Sequence, residues 1–244
     1  MAIPVIQAGF TSQQNQASST ISITKPTGLV SGDLCIIFTT NDSTGGSAQW
    51  DDSTNKPIDS GAREFTFINW AGLGGTVDAH AAAFWRIITG DEVWPITSTS
   101  ASSADQIAFA IRITGAHATV PIDVVGADYT GVQTDATHPI TGLTSGVADT
   151  LVLYILGFDG GDGTPMSVSG TGWVQKDEET SDVAETNMAS GSWGARDLAT
   201  QGASGDATVT PNVTDGAAGF QFSIAPGAGG ATEEHFLTLL GAGT

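Results

Sequence analysis

Positive charge is scarce in this chain of 244 residues: seven lysines and arginines stand against 26 aspartates and glutamates, a net charge of −19. That balance excludes an ordinary nucleic-acid interface, which needs clustered cations to displace counterions from phosphates. It disfavours an anionic membrane surface for the same reason. Cysteine is nearly absent. Cys35 stands alone inside the apolar run Leu34–Phe38, so no intrachain disulfide framework is expected and the residue reads as a small buried hydrophobe. No apolar run approaches the roughly 18 residues of a bilayer-spanning helix. The opening "MAIPVIQAGF" lacks a basic start and a long apolar core. No secretory signal is expected from it, and synthesis in a host cytoplasm is.

Catalytic signatures are missing too. His80, His117, His138 and His235 lie far apart and form no His-x-His or His-Glu-x-x-His pattern, so a zinc site has no support. A serine nucleophile wants a Gly-x-Ser-x-Gly elbow, and the nearest phrase, "ASGSWG", has the wrong spacing. With 26 acids some carboxylate couple can always be drawn, so spacing singles out none. No enzyme activity and no cofactor are expected. A candidate calcium site rests on Asp159 and Asp162 of "FDGGDGTP", because calcium takes about six to eight hard oxygens. Asp-Gly is equally ordinary turn chemistry.

What is present reads as short strands. "STISITKP" alternates Ile21 and Ile23 with polar residues, and "EFTFINW" does so with Phe65 and Phe67. "DQIAFAIRIT" sets Ile107, Phe109, Ile111 and Ile113 on one face and Ala108, Ala110 and Arg112 on the other. "GFQFSIAP" sets Phe220, Phe222 and Ile224 together. "DLCIIFTT" and "DTLVLYILGF" are apolar on both faces, as central strands covered on both sides must be. The 32 glycines suit many strands joined by many turns, and no amphipathic helix stands out before the last residues.

The chain also repeats itself. "TKPTGLVSGDLCIIFTTND" (24–42) returns as "THPITGLTSGVADTLVLYILGFD" (137–159), and "DQIAFAIRITGA" (105–116) as "AAGFQFSIAPGA" (217–228). Between them "AHAAAFWRIITG" (79–90) matches "ETNMASGSWGAR" (185–196), which sets Trp85 against Trp193. Two related halves, about 1–118 and 119–228, follow from this. The junction "ITGAHATVPIDVVGADYTG" has no linker composition and offers Val120, Ile122, Val124 and Val125 as further strand. The expected fold is therefore all-β: a jelly-roll-like β-sandwich over residues 1–228, built from two sequence-related halves around one core.

Two surface features could bind. Trp50 and Trp173 ("GTGWV") sit in Gly/Ser/Asp-rich stretches and could stack on a ligand such as a sugar ring. Residues 229–244 form a Gly-rich spacer and an apolar tail. There Phe236, Leu237, Leu239 and Leu240 must pack back on their own domain or onto a neighbouring subunit, and the neighbour is the preferred reading. They are the candidate assembly contact.

The phrases "KPTGLVSGDLCIIFTT", "FWRIITGDE" and "IAFAIRITGAHATVPID" resemble those of a loose group of bacteriophage virion proteins with β-sandwich folds. The resemblance covers most of residues 20–225 and consists of structural motifs, with no catalytic residue to carry over. It implies a virion component: a capsid decoration or cement protein, or else part of a tail or fibre. Its implied partners are other virion proteins, the major capsid protein foremost, and further copies of itself, a homotrimer before other oligomers. A carbohydrate- or receptor-binding module using the loop tryptophans is the alternative.

Overall fold

The computed structural model describes residues 1–42, 56–73, 79–132, 134–159, 165–181 and 189–227. Trp50, Asp162, Phe236, Leu237, Leu239 and Leu240, all singled out above, lie outside these residues. The described residues contain strands and no helix. In chain order the strands are β1 (Val5–Ile6), β2 (Thr11–Ile23), β3 (Leu34–Asp42), β4 (Thr66–Gly72), β5 (Ala79–Ile87), β6 (Ile96–Thr114), β7 (Ile122–Val125) and β8 (Tyr129–Gly131). They continue with β9 (His138–Ile140), β10 (Thr150–Asp159), β11 (Ser167–Ser169), β12 (Val174–Thr180), β13 (Ala189–Leu198), β14 (Ala207–Thr210) and β15 (Ala217–Ile224).

Two large antiparallel sheets result. The first runs β1-β6-β3-β5-β4, with β2 also paired to β6; the second runs β7-β15-β10-β13-β12, with β8 also paired to β15. A small third sheet runs β9-β14-β11. Each large sheet draws on one stretch of chain, 5–114 or 122–224.

Periodicity decides which side chains meet. Leu34, Ile36 and Phe38 of β3 join Ile107, Phe109, Ile111 and Ile113 of β6 in the layer between the large sheets. Leu151, Leu153 and Ile155 of β10 meet them there with Phe220, Phe222 and Ile224 of β15. The opposite faces are covered as well. Cys35 and Ile37 lie under Ile21, Ile23, Phe65 and Ile96. Val152, Tyr154, Leu156 and Phe158 lie under Ile140, Leu143 and Val209. That is why the two longest apolar runs show no alternation: each is the middle strand of a sheet buried on both faces.

Among the described residues the largest fully buried side chain is Trp193. Its ring meets Phe10 edge-on at 5.3 Å and Phe38 at 6.2 Å, so it joins the two sheets. One expectation needs correcting here. Trp85 and Trp193 do not occupy matching registers: Trp85 lies opposite Ile36, near the start of β3, whereas Trp193 lies opposite Ile155, mid-strand in β10. A two-residue displacement keeps the face, because side chains alternate with period two.

Turns at the strand ends are fastened by charge. Asp33 is buried and accepts from Arg112 Nε at 2.6 Å and from the Val30 amide at 3.0 Å. Arg86 Nε reaches Glu92 at 3.1 Å. Burial pushes the Glu92 carboxyl up, but hydrogen bonds from the Thr89 and Gly90 amides and the Thr89 hydroxyl outweigh it and hold it at about 2.

Candidate functional site

Both central strands end in aspartate, and the sandwich is polar at that end. Asn41 of β3 lies opposite His80 and Gln106, and Asp42 opposite Asp105. Asn41, Asp42, His80 and Gln106 are all buried. The two large sheets close tightly here: a Cβ on Gly157 of β10 would stand 2.5 Å from the His80 carbonyl oxygen and 2.9 Å from Thr40 Cβ. Only glycine permits that approach. Ser181 Oγ donates to Asp105 at 3.0 Å, which ties the second sheet's end to the first.

Asp159, proposed from sequence as a calcium ligand, sits at the end of β10. Its amide donates to the Gly216 carbonyl, next to Asp215. Burial drives the Asp215 carboxyl up, the Gly216 amide opposes this, and the charge of Asp159 adds to the rise; the result is about 7. His80 is pulled down to about 4 by burial, partly offset by Asp159. His138 is likewise pulled down to about 4 by burial, partly offset by Asp135. The Tyr129 hydroxyl stands 3.2 Å from His138 Nδ1, and burial, then Asp135, raises that phenol to about 12. This end thus stores one carboxyl that exchanges its proton near neutrality, beside imidazoles kept neutral.

The Asp215 value has a testable consequence. A carboxyl raised in the folded state contributes stability below its unfolded value near 3.8 and loses it as pH rises through about 7. Asp215→Asn keeps an oxygen for the Gly216 amide, which Asp215 Oδ1 binds at 2.7 Å. The variant should therefore be more stable than the parent at pH 8 by about 1–2 kcal/mol, after discounting for solvent screening, and gain nothing at pH 4. Urea unfolding at both pH values checks this; an equal gain at both would refute the buried-charge account.

The remaining sequence-derived residues are placed as follows. Trp173, a candidate stacking residue, is buried, only 7% exposed, with its ring edge-on to Tyr154 at 5.6 Å in the outer layer of the second sheet. This corrects the sequence reading: Gly-rich flanks let the ring fold inward, and its face is not offered to a ligand. Its proposed companion Trp50 lies outside the described residues, as does Asp162 beside Asp159. Among the described residues no three His, Cys, Asp or Glu gather closely enough to hold a metal ion. Cys35 is fully buried; burial first, then the charges of Glu92 and Asp33, push its thiol far up and leave it without nucleophilic character.

Two surface hollows are formed by described residues. One, about 380 Å³, is shallow and lined by Gln14, Asn15, Gln16 and Ser181. The other is a groove of about 450 Å³ between residues 3–6 and the β12–β13 side of the second sheet, where Leu151, Val174, Lys176, Ala195, Arg196 and Asp197 line it. Neither includes Asp159 or Asp215.

Sequence reasoning missed Asp215, His80, His138 and the Lys176–Arg196 pair. A signal existed for Asp215: "SADQ" and "TDGA" both lead an aspartate into the last strand of a half. For Lys176 and Arg196 the signal was the rarity of cations itself. No protein-family model, no curated protein and no solved structure matches this chain.

Proposed function

We propose that the chain is a non-enzymatic structural component of a phage virion surface, a capsid decoration or cement protein that stabilises a shell through contacts with the shell protein and with further copies of itself. The observation that supports this is what the phrases carrying the resemblance do. Asp33 of "VSGDLCIIF" pairs with Arg112 of "IAFAIRITG" at 2.6 Å, and Arg86 and Glu92 lock the segment "FWRIITGDEV" at 3.1 Å. These charged residues are fasteners for strand ends, and their chemistry is spent on rigidity. A module repeated many times on a particle gains from rigidity, because avidity then multiplies individually weak contacts. A tail or fibre part would use the same hardware. The glycan-binding alternative is weakened by the inward turn of Trp173.

We further infer that the two sequence-related halves each build one large sheet. Leu34 lies opposite Ile87 and Ile113, and Leu151 opposite Asp197 and Ile224, at matching points of the repeated phrase. Both edge pairings carry an irregularity at the same place, between Phe67 and Asn69 in one and between Gln175 and Asp177 in the other. On this reading the repeat supplies two facing sheets for one core.

Quantitative mass spectrometry of purified particles that carry the chain tests the virion assignment. A fixed whole-number ratio to the shell protein is expected, and absence from washed particles overturns it. Light scattering tests self-association: a defined oligomer is expected, and a monomer at every concentration refutes that part.

A further inference from the structure

The groove at the β1/β12 side differs from its counterpart at the other side of the sandwich. On the two-sheet reading, the registers place Val174 of β12 where Thr66 stands in β4, each opposite the residue two before an aligned strand end (Ala195 and Trp85). Lys176 then takes the place of Ile68, each at the irregular step of its strand. Asp197 takes the place of Ile87 and Ala195 that of Trp85. Ile68, Trp85 and Ile87 all pack against the inter-sheet core, and Asn69 Nδ2 donates to Asp128 at 2.7 Å across that side. Three apolar or bulky residues at one side are thus a cation, an anion and an alanine at the other. The first side is filled; the second is open.

The open side also carries two of the three lysines and arginines that have no ion-pair partner among the described residues, Lys25 being the third. Lys56, Arg63, Arg86 and Arg112 each pair with a carboxylate. Lys176 and Arg196 have no ion-pair partner among the described residues, although Asp197 lines the same groove. Arg196 Nη1 donates to the Ser204 carbonyl, which anchors one side of its guanidinium group. The remaining lining is largely apolar: residues 3–6, Leu151, Val174 and Ala195. β1 and β12 are the terminal strands of their sheets, so each offers a strand edge to an extended segment.

The described chain ends beside this groove. The Gly227 amide donates to the Gly115 carbonyl at 2.7 Å, and a Cβ on Gly115 would stand 3.8 Å from Cα of Pro4, a groove residue. Five residues, 228–232, then precede Glu233, Glu234 and the apolar Phe236, Leu237, Leu239 and Leu240. Fully extended, five residues reach about 17 Å. A short Gly-rich tether holds its end at about millimolar effective concentration near its own exit point. Acid followed by apolar residues is the complement of a groove lined by apolar residues and by two cations that have no ion-pair partner among the described residues.

We propose that the β1/β12 groove is the docking site of this chain's own segment Glu233–Leu240, with the two glutamates against Lys176 and Arg196 and the apolar residues over Leu151, Val174 and residues 3–6. The sequence alone favours a neighbouring subunit for this segment; the exit point of Gly227 favours the same molecule. The inference uses the two-sheet reading but is independent of the virion assignment.

The test is photo-cross-linking of the full chain carrying p-benzoylphenylalanine in place of Phe236, as an equal mixture of light and heavy isotope-labelled copies at low micromolar concentration. Cross-links within one molecule to residues 3–6 or 174–176 are expected. Adding Lys176→Glu, an exposed change that should leave the fold intact, should lower their yield at least about twofold at low ionic strength. Cross-links between light and heavy copies would overturn the proposal in favour of a neighbour's tail. Cross-links to another surface, or a yield indifferent to Lys176→Glu, would overturn it as well.

Discussion

Trp193→Ala should cost about 3–5 kcal/mol, the largest loss expected from any single truncation in this chain. The indole is fully buried between the sheets and touches Phe10 from the first sheet's margin and Phe38 from its centre. Truncation removes transfer energy and leaves a cavity that two hydrogen-bonded sheets cannot collapse to fill. For a domain of this size that corresponds to a fall in melting temperature of roughly 10–15 °C. Trp85→Ala should cost clearly less, because its ring is only half-buried near a strand end. Thermal unfolding followed by circular dichroism compares the two. Equal losses would show that Trp193 is not the bridge between sheets that its position indicates.

The second large effect is acid lability. His80 and His138 are both held near 4 by burial, and neither His80 nitrogen nor His138 Nε2 has a hydrogen-bond partner among the described residues. A base whose folded value is depressed contributes stability above its unfolded value near 6.5 and loses it as pH falls toward the folded one. Each ring should withdraw about 1–2 kcal/mol between pH 6.5 and 4, discounted for screening. Asp215 works in the opposite direction over this window, since its protonation below about 7 restores stability. The parent should lose about 1–3 kcal/mol net from pH 7 to 4.5, and Asp215→Asn should steepen that loss because the opposing gain is gone. Urea midpoints across the window decide it. A flat profile, or one that Asp215→Asn makes shallower, would refute the assignment.

The strands were legible because burial leaves a period in the sequence. Ile107, Phe109, Ile111 and Ile113 of β6 face one layer, and Ala108 and Ala110 face the other, as their alternation predicts. The unbroken runs of β3 and β10 announce cover on both faces, although not what covers them. Trp173 was misread because glycine-rich flanks describe local backbone freedom only. Whether the ring turns outward or onto Tyr154 depends on β10, a strand outside the glycine-rich flanks themselves. The register of Trp193 was misread for a related reason: a gapped repeat fixes the face of a residue, since a slip of two preserves it, but not its position along the strand.

The sequence by itself determined the β class, the buried faces of the central strands, the solitary buried cysteine and the acidic surface. Each is a property of composition or of period, and each is written in neighbouring residues. Only tertiary structure decided that Asp215 lies near Asp159, that the His80 ring is buried beside Trp70, and that Lys176 and Arg196 share an open groove beside the exit of Gly227. Those facts depend on which strands pair and how the sheets face. Pairing is set by the summed fit of many weak contacts between residues a hundred positions apart, and no local pattern records that sum.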